Sequence, residues 1–262
     1  MGKARFNNNP SQRSDVSVTW LQAVHHFAVF SLYSFGTVYD ATQTFPVYMK
    51  SKYVNPKISA MSNGSVLKHK SLHLTSWCAV FQLTYFFICC VSDLVASSGA
   101  HSPLTRKIAA FRDWFLAAVA FPIGTLVVTV FWGLWAIDRE LIFPKILDEF
   151  FPAWLNHVMH TTVLPILLLD MFLVRHRYPS KLTGILGLAV VALSYLSWIL
   201  WLGFVADIWV YPFLKVMEGP VFVGFILTTS VLLLGMYLVG EKVSKVFWRG
   251  HTDYDFEMAK LD

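Results

Sequence analysis

Leu182-Thr183-Gly184-Ile185-Leu186-Gly187-Leu188-Ala189-Val190-Val191-Ala192-Leu193, continuing to Val205, is an apolar run with no acidic or basic side chain. At 1.5 Å rise per residue, roughly 20 apolar residues are enough to cross hydrocarbon as a helix. Nothing in this run offers a polar face to water. Five further stretches share the character. In chain order the six run about 17–38, 72–96, 113–135, 152–174, 182–205 and 221–242. They are continuous rather than alternating in hydropathy. Backbone groups inside lipid must be satisfied within the segment or in a closed barrel, so continuous runs predict helices. The expected architecture is an all-α polytopic membrane helix bundle of about six transmembrane helices, forming a single domain over 1–262.

Composition agrees. Of 262 residues, 56% are hydrophobic and 14% charged, against roughly 25% charged in soluble domains. The net charge of +5 does not imply a nucleic-acid partner, because Lys and Arg sit in short clusters flanking the apolar runs. Cys78, Cys89 and Cys90 all fall in one run, which argues against a disulfide framework. The first apolar run is too long for a signal-peptide core and reads as a retained helix.

Lys and Arg number 21; the leader and the second and fourth connections hold three each, the C-terminal tail four. That distribution predicts both termini in the cytosol; the membrane itself, plasma membrane or endoplasmic reticulum, is not fixed by the sequence. The sequon Asn63-Gly64-Ser65 then falls in an outer loop, as an acceptor would. The charged segment 138–151 cannot span; with Leu141, Ile142, Phe143, Phe150 and Phe151 it suits a short helix lying at the interface. Pro122, Gly124 and Pro165 lie inside predicted spans, where kinks are expected.

Polar residues inside spans are costly and mark bundle interiors or cavities. The second run opens with His73-Leu74-Thr75, and the fourth with Trp154-Leu155-Asn156-His157-Val158-Met159-His160-Thr161-Thr162. Asn156 and His160 are four apart and His157 and His160 three apart, so each pair shares a helix face. Three roles fit. Asn, His and Thr can tie helices together. Two histidines three apart can share a metal, but no further ligands stand in register, so no metal or cofactor is expected. A histidine can also activate a threonine hydroxyl for nucleophilic attack. In the expected topology Thr75 lies roughly 5 Å and His160 roughly 12 Å into their helices, a gap that tilt must close. Asp170 lies too far along its helix to orient His160. A dyad, with Asn156 steadying the imidazole, is therefore expected rather than a triad.

Other polar residues have simpler expected roles. Asp93 and Asp170 should pair with Arg106, Arg112 or Arg175. One of His25 and His26 should face the bundle, where either could line a cavity. Trp209 and Tyr211 suit an interfacial aromatic belt, though with the neighbouring Pro212 they could equally shape a cavity mouth.

Four stretches resemble the androgen-induced gene 1 and androgen-dependent TFPI-regulating protein family: Phe111-Arg112-Asp113-Trp114-Phe115-Leu116-Ala117 with Phe121-Pro122-Ile123-Gly124, Asp138-Arg139-Glu140-Leu141-Ile142-Phe143-Pro144-Lys145, the Trp154–Thr162 run, and Trp209-Val210-Tyr211-Pro212-Phe213-Leu214. The resemblance spans about 70–250; a longer, more basic first loop departs from it. It implies a membrane threonine hydrolase that cleaves fatty acid esters of hydroxy fatty acids, with Thr75 as nucleophile and His160 as base. Asn156, His157 and His73 would support the pair. The implied partner is a lipid with two acyl chains, whose carboxylate would suit a cation such as Lys68, Lys70, His73 or Arg139. The competing expectation is a non-catalytic lipid-binding regulator or small transporter, in which Thr75 and His160 only join helices.

Overall fold

The computed structural model describes residues 18–98, 103–217 and 219–249. Among these residues the chain is helical, with no strand. Helix α1, Trp20–Tyr39, starts where the Thr19 hydroxyl accepts from the Gln22 amide. It runs through a π-helical turn, Asp40–Thr44, into α2, Phe45–Lys50. The long first connection is itself folded. It holds α3 (Pro56–Ser62), begun by the Asn55 side chain, and α4 (Val66–Lys70), begun by Ser65. Asn63 ends α3 in the left-handed conformation at φ 48° and is exposed.

Helix α5 spans Leu74–Ser97. Helix α6 (Pro103–Phe115), a π turn (Leu116–Ala120) and α7 (Phe121–Asp138) make one long rod. The π turn precedes Pro122, which has no N–H for the ladder. Gln82 reaches across from α5 and donates to the Ala120 carbonyl at 2.9 Å. A side chain at Gly124 would force its neighbours to shift: a Cβ would lie 2.8 Å from the Val163 side chain and 2.9 Å from that of Gln82. The missing side chain lets α5, α7 and the fourth run approach closely.

The fourth run is broken rather than continuous. Helix α8 (Ala153–His160) and α9 (Val163–Leu173) meet at a 48° bend. Pro165 explains the bend: it cannot donate to the carbonyl four residues back, and its ring crowds that carbonyl. The Thr161 and Thr162 amides both turn to the His157 carbonyl, at 2.8 and 2.9 Å. Helices α10 (Lys181–Phe204), α11 (Pro212–Val216) and α12 (Gly219–Phe247) complete the fold.

Each of the six apolar stretches overlaps helix among the described residues. Among the described residues four helices are long and apolar enough to cross a membrane, or five if the bent pair counts as one span. Helix α1 is 20 residues long but is not among them, because Gln22, His25 and His26 lower its hydropathy. Segment 138–151 forms two 3-10 turns, Arg139–Leu141 and Lys145–Glu149, instead of one interfacial helix. Pro144 and the turn-starting Asp138 interrupt any longer helix there.

The outward surface is apolar. On α10, Leu186, Val190 and Leu193 are exposed at helical spacing; on α12, Leu227, Val231, Leu234 and Leu238 are exposed the same way. Water would be a poor solvent for such faces, and lipid a good one. Buried side chains including Tyr33, Phe86, Leu116, Phe121, Leu167 and Met171 form the core where α1, α5, α7 and α9 meet.

Candidate active site

Thr75 stands in the first turn of α5, and His160 is the last residue of α8 before the bend. Their side chains meet: Thr75 Oγ1 lies 3.2 Å from His160 Nε2. The depth gap expected from straight helices does not keep the two side chains apart. The other ring nitrogen, His160 Nδ1, is 3.1 Å from the Asn156 carbonyl oxygen. A carbonyl only accepts, so this bond places the proton on Nδ1 and leaves the Nε2 lone pair facing the threonine hydroxyl. That tautomer suits a general base.

Packing fixes the ring further. Phe131 of α7 stacks on it at 3.7 Å between centroids and 15° between planes. The Trp132 indole N–H donates to the His160 carbonyl oxygen at 2.9 Å, satisfying it where the helix breaks. His160 is buried and Thr75 half-buried.

The supporting residues expected from sequence divide. Asn156 steadies the imidazole, but through its main-chain carbonyl; its side-chain Oδ1 is buried without a partner. His157 is not in the site. It is exposed, 3.0 Å from Thr161 Oγ1 and stacked on Trp132, whose indole stands between α8 and the rest of α7's ring stack on that side of the helix. His73 caps the start of α5 and lines the cavity beside Thr75 without a side-chain capping bond.

Two cavities meet at Thr75. One, about 190 Å³, lies among α7, α10 and α12 and is lined by apolar groups such as Leu126, Val130, Ile199 and Phe225. The second, about 320 Å³, opens under α2 to α4 and includes Asp40, His69, Lys70, His73 and His160. Both are lined by Thr75, Phe131, Ile142 and Tyr211. Of the cations expected to meet a carboxylate, Lys70 and His73 line the second cavity. Lys70 is paired with Asp40 at 2.5 Å. Lys68 is exposed on α4, and Arg139 pairs with Asp148 and covers the Trp135 ring. His69, outside the spans, is held down to about 4 by burial and by neighbouring Lys70.

Tyr211 lines both cavities beside Thr75, the second of the two places expected for it. Its hydroxyl accepts the Leu74 N–H at 2.8 Å and lies 3.2 Å from the Tyr195 hydroxyl. The sequence signal for it was its place in the Trp209–Leu214 stretch. Phe131 had no such signal, since it is one aromatic among many.

A second polar cluster lies about 27 Å further along α5, at 1.5 Å per residue. His26 Nδ1 is 2.6 Å from Asp93, and its Nε2 2.8 Å from Asp170. Gln22 also donates to Asp93, and the Tyr85 hydroxyl to Asp170. His176 bridges Asp170 at 3.0 Å and Asp113 at 2.9 Å. Arg112 closes the chain on Asp113. The aspartates expected to seek arginines therefore take histidines, and His26 serves this network rather than either cavity. Burial alone would lower the His176 pKa, but its two carboxylate partners raise it. Ligand atoms of His26, Cys89 and Asp170 lie within 4.8 Å of one another and could hold a metal ion. Here both His26 nitrogens are hydrogen bonded to carboxylates.

A family model described as FAR-17a/AIG1-like protein matches residues 21–245. The chain belongs to this family. It is similar to human androgen-induced gene 1 protein, 39% identical over 187 residues that cover 69% of this chain and 79% of that protein. It is also similar to human androgen-dependent TFPI-regulating protein, 34% identical over 225 residues, 86% of this chain and 92% of that one. The mouse androgen-dependent TFPI-regulating protein is 36% identical over 179 residues, 68% of this chain and 77% of its own. No solved structure matches this FAR-17a/AIG1-like chain.

Proposed function

We propose that the protein is a membrane lipid hydrolase that cleaves the ester bond of fatty acid esters of hydroxy fatty acids. The observation that carries this reading is the 3.2 Å contact of Thr75 Oγ1 with a His160 nitrogen whose opposite nitrogen is held by a carbonyl. A helix-joining role needs only the hydrogen bond. A catalyst also needs space for substrate at the hydroxyl, and Thr75 lines two cavities.

In the mechanism, Thr75 Oγ attacks the ester carbonyl carbon while His160 Nε2 takes the hydroxyl proton. The tetrahedral species collapses by breaking the bond to the hydroxy fatty acid, whose oxygen receives that proton from His160. Water then gives a proton to the same nitrogen and attacks the acyl-threonine. The fatty acid leaves, and Thr75 regains its hydrogen. The apolar cavity suits the acyl half, each buried methylene contributing about 0.8 kcal/mol. The cavity beside Lys70, His69 and His73 suits the half that carries the carboxylate.

Purified wild type, Thr75→Ala and His160→Ala test the reading by ester hydrolysis, with thermal melts to establish folding. Each variant should melt as a folded protein and lose at least about 10²-fold in kcat. Folded variants that retain turnover would leave Thr75 and His160 as helix-joining residues.

A further inference from the structure

Counting the amides at the start of α5 singles out one N–H. That of Leu74 donates to Tyr211 Oη at 2.8 Å. Those of Ser76 and Trp77 both turn to the His73 carbonyl, at 3.1 and 3.3 Å. The Thr75 N–H meets no acceptor among the described residues. The carbonyl four residues back, on Ser71, is already taken by the indole N–H groups of Trp77 and Trp198, both at 2.9 Å. The one free amide of the first turn thus belongs to the residue whose hydroxyl faces His160. It also stands at the positive end of a 24-residue helix.

Tyr211 supplies a second donor next to it. Tyr195 has a single hydroxyl proton, which goes to the Leu72 carbonyl at 3.2 Å. In the Tyr195–Tyr211 contact Tyr211 is then the donor, across a long 3.2 Å. Its oxygen is fixed by the Leu74 amide, and rotation about the C–O bond can turn its proton from Tyr195 to another acceptor. Like Thr75, Tyr211 lines both cavities.

We propose that Tyr211 is a catalytic residue, whose O–H forms with the Thr75 N–H the oxyanion hole for the ester carbonyl oxygen. This deepens the hydrolase reading and rests on it. When Thr75 Oγ bonds to the carbonyl carbon, the electron pair of the C=O bond moves onto oxygen. That oxygen develops beside the attacking residue's own amide, where a preorganised donor pair stabilises it. On collapse the pair returns to carbon as the leaving oxygen departs.

The test compares full-length wild type and Tyr211→Phe on a fatty acid ester of a hydroxy fatty acid and on its thiono analogue, in which C=S replaces C=O. Sulfur accepts hydrogen bonds poorly, so a lost donor matters chiefly for the oxygen substrate. Tyr211→Phe should lower kcat on the ester about 10²–10³-fold, with little change in KM. The ester-to-thionoester rate ratio should collapse with it. An equal loss on both substrates would make Tyr211 only the cap of the Leu74 amide and overturn the proposal. So would full activity in the variant. Wild type inactive on the ester would overturn the hydrolase reading, a result distinct from either. If Tyr211→Phe fails to fold, 3-fluorotyrosine at 211 keeps the hydroxyl and alters its donor strength. An unchanged rate ratio there overturns the proposal equally.

Discussion

Histidine carries most of the polar chemistry of this chain, and neighbours decide what each histidine does. His160 is a base candidate because a carbonyl holds one nitrogen and leaves the other free. His26 and His176 each have carboxylates at both nitrogens and serve as links. His69 is packed against Phe45, Tyr48 and His73 with its Nδ1 unpartnered. Burial, then Lys70, hold it down to about 4 from 6.5. Its folded pKa lies below its unfolded one, so as pH falls the unfolded chain takes up the proton first. Stability is therefore full above about pH 6.5 and falls as pH drops toward 4. The loss is on the order of 3 kcal/mol at 1.36 kcal/mol per pKa unit. His69→Phe should flatten this acid limb in melts followed across that range; an unchanged slope would assign the limb to another group.

Among the elements, the bent α8–α9 pair matters most for the site. A straight helix from Ala153 to Leu173 would carry His160 on a different line past α5, and the depth estimates from sequence assumed that straightness. Pro165 breaks the line, the Thr161 and Thr162 amides share the His157 carbonyl, and Trp132 takes the His160 carbonyl. Pro165→Ala restores a donor and removes the ring clash. The variant should melt close to wild type, since Pro165 lies in the first turn of α9, where proline costs little. It should nevertheless lose about 10²-fold in kcat, the scale expected when a reacting group moves by 1 Å. Stable protein with undiminished turnover would show that stacking on Phe131, rather than the bend, positions His160.

Across the whole molecule, the two polar clusters divide the labour. One end of the bundle carries the Thr75–His160 pair and its cavities beneath α2 to α4. The other carries the network that joins α1, α5, α6, α9 and the link through His176. Its acids and bases are buried, and removing one partner strands the others in a low dielectric. Asp170→Asn leaves His26, His176 and Tyr85 facing an amide instead of a carboxylate. A loss of about 3–5 kcal/mol is expected in denaturation, the scale of a broken buried pair. The folded fraction should keep its turnover, which activity normalised to folded protein would check; a fall in that value would tie the network to the chemistry.

Sequence by itself determined the class of fold and marked the polar runs at the starts of the second and fourth apolar stretches, from which Thr75 and His160 come. Hydropathy and helical spacing are local properties, and solvent preference follows from them directly. Tertiary structure alone decided that α8 bends, that Asn156 acts through its carbonyl while His157 faces outward, and that Asp93 and Asp170 take histidines. It also placed Tyr211 beside the start of α5, 137 residues away in sequence. Such contacts depend on the angles at which distant helices meet, and those angles are set by proline breaks and close glycine packing acting together, which no single stretch of chain encodes.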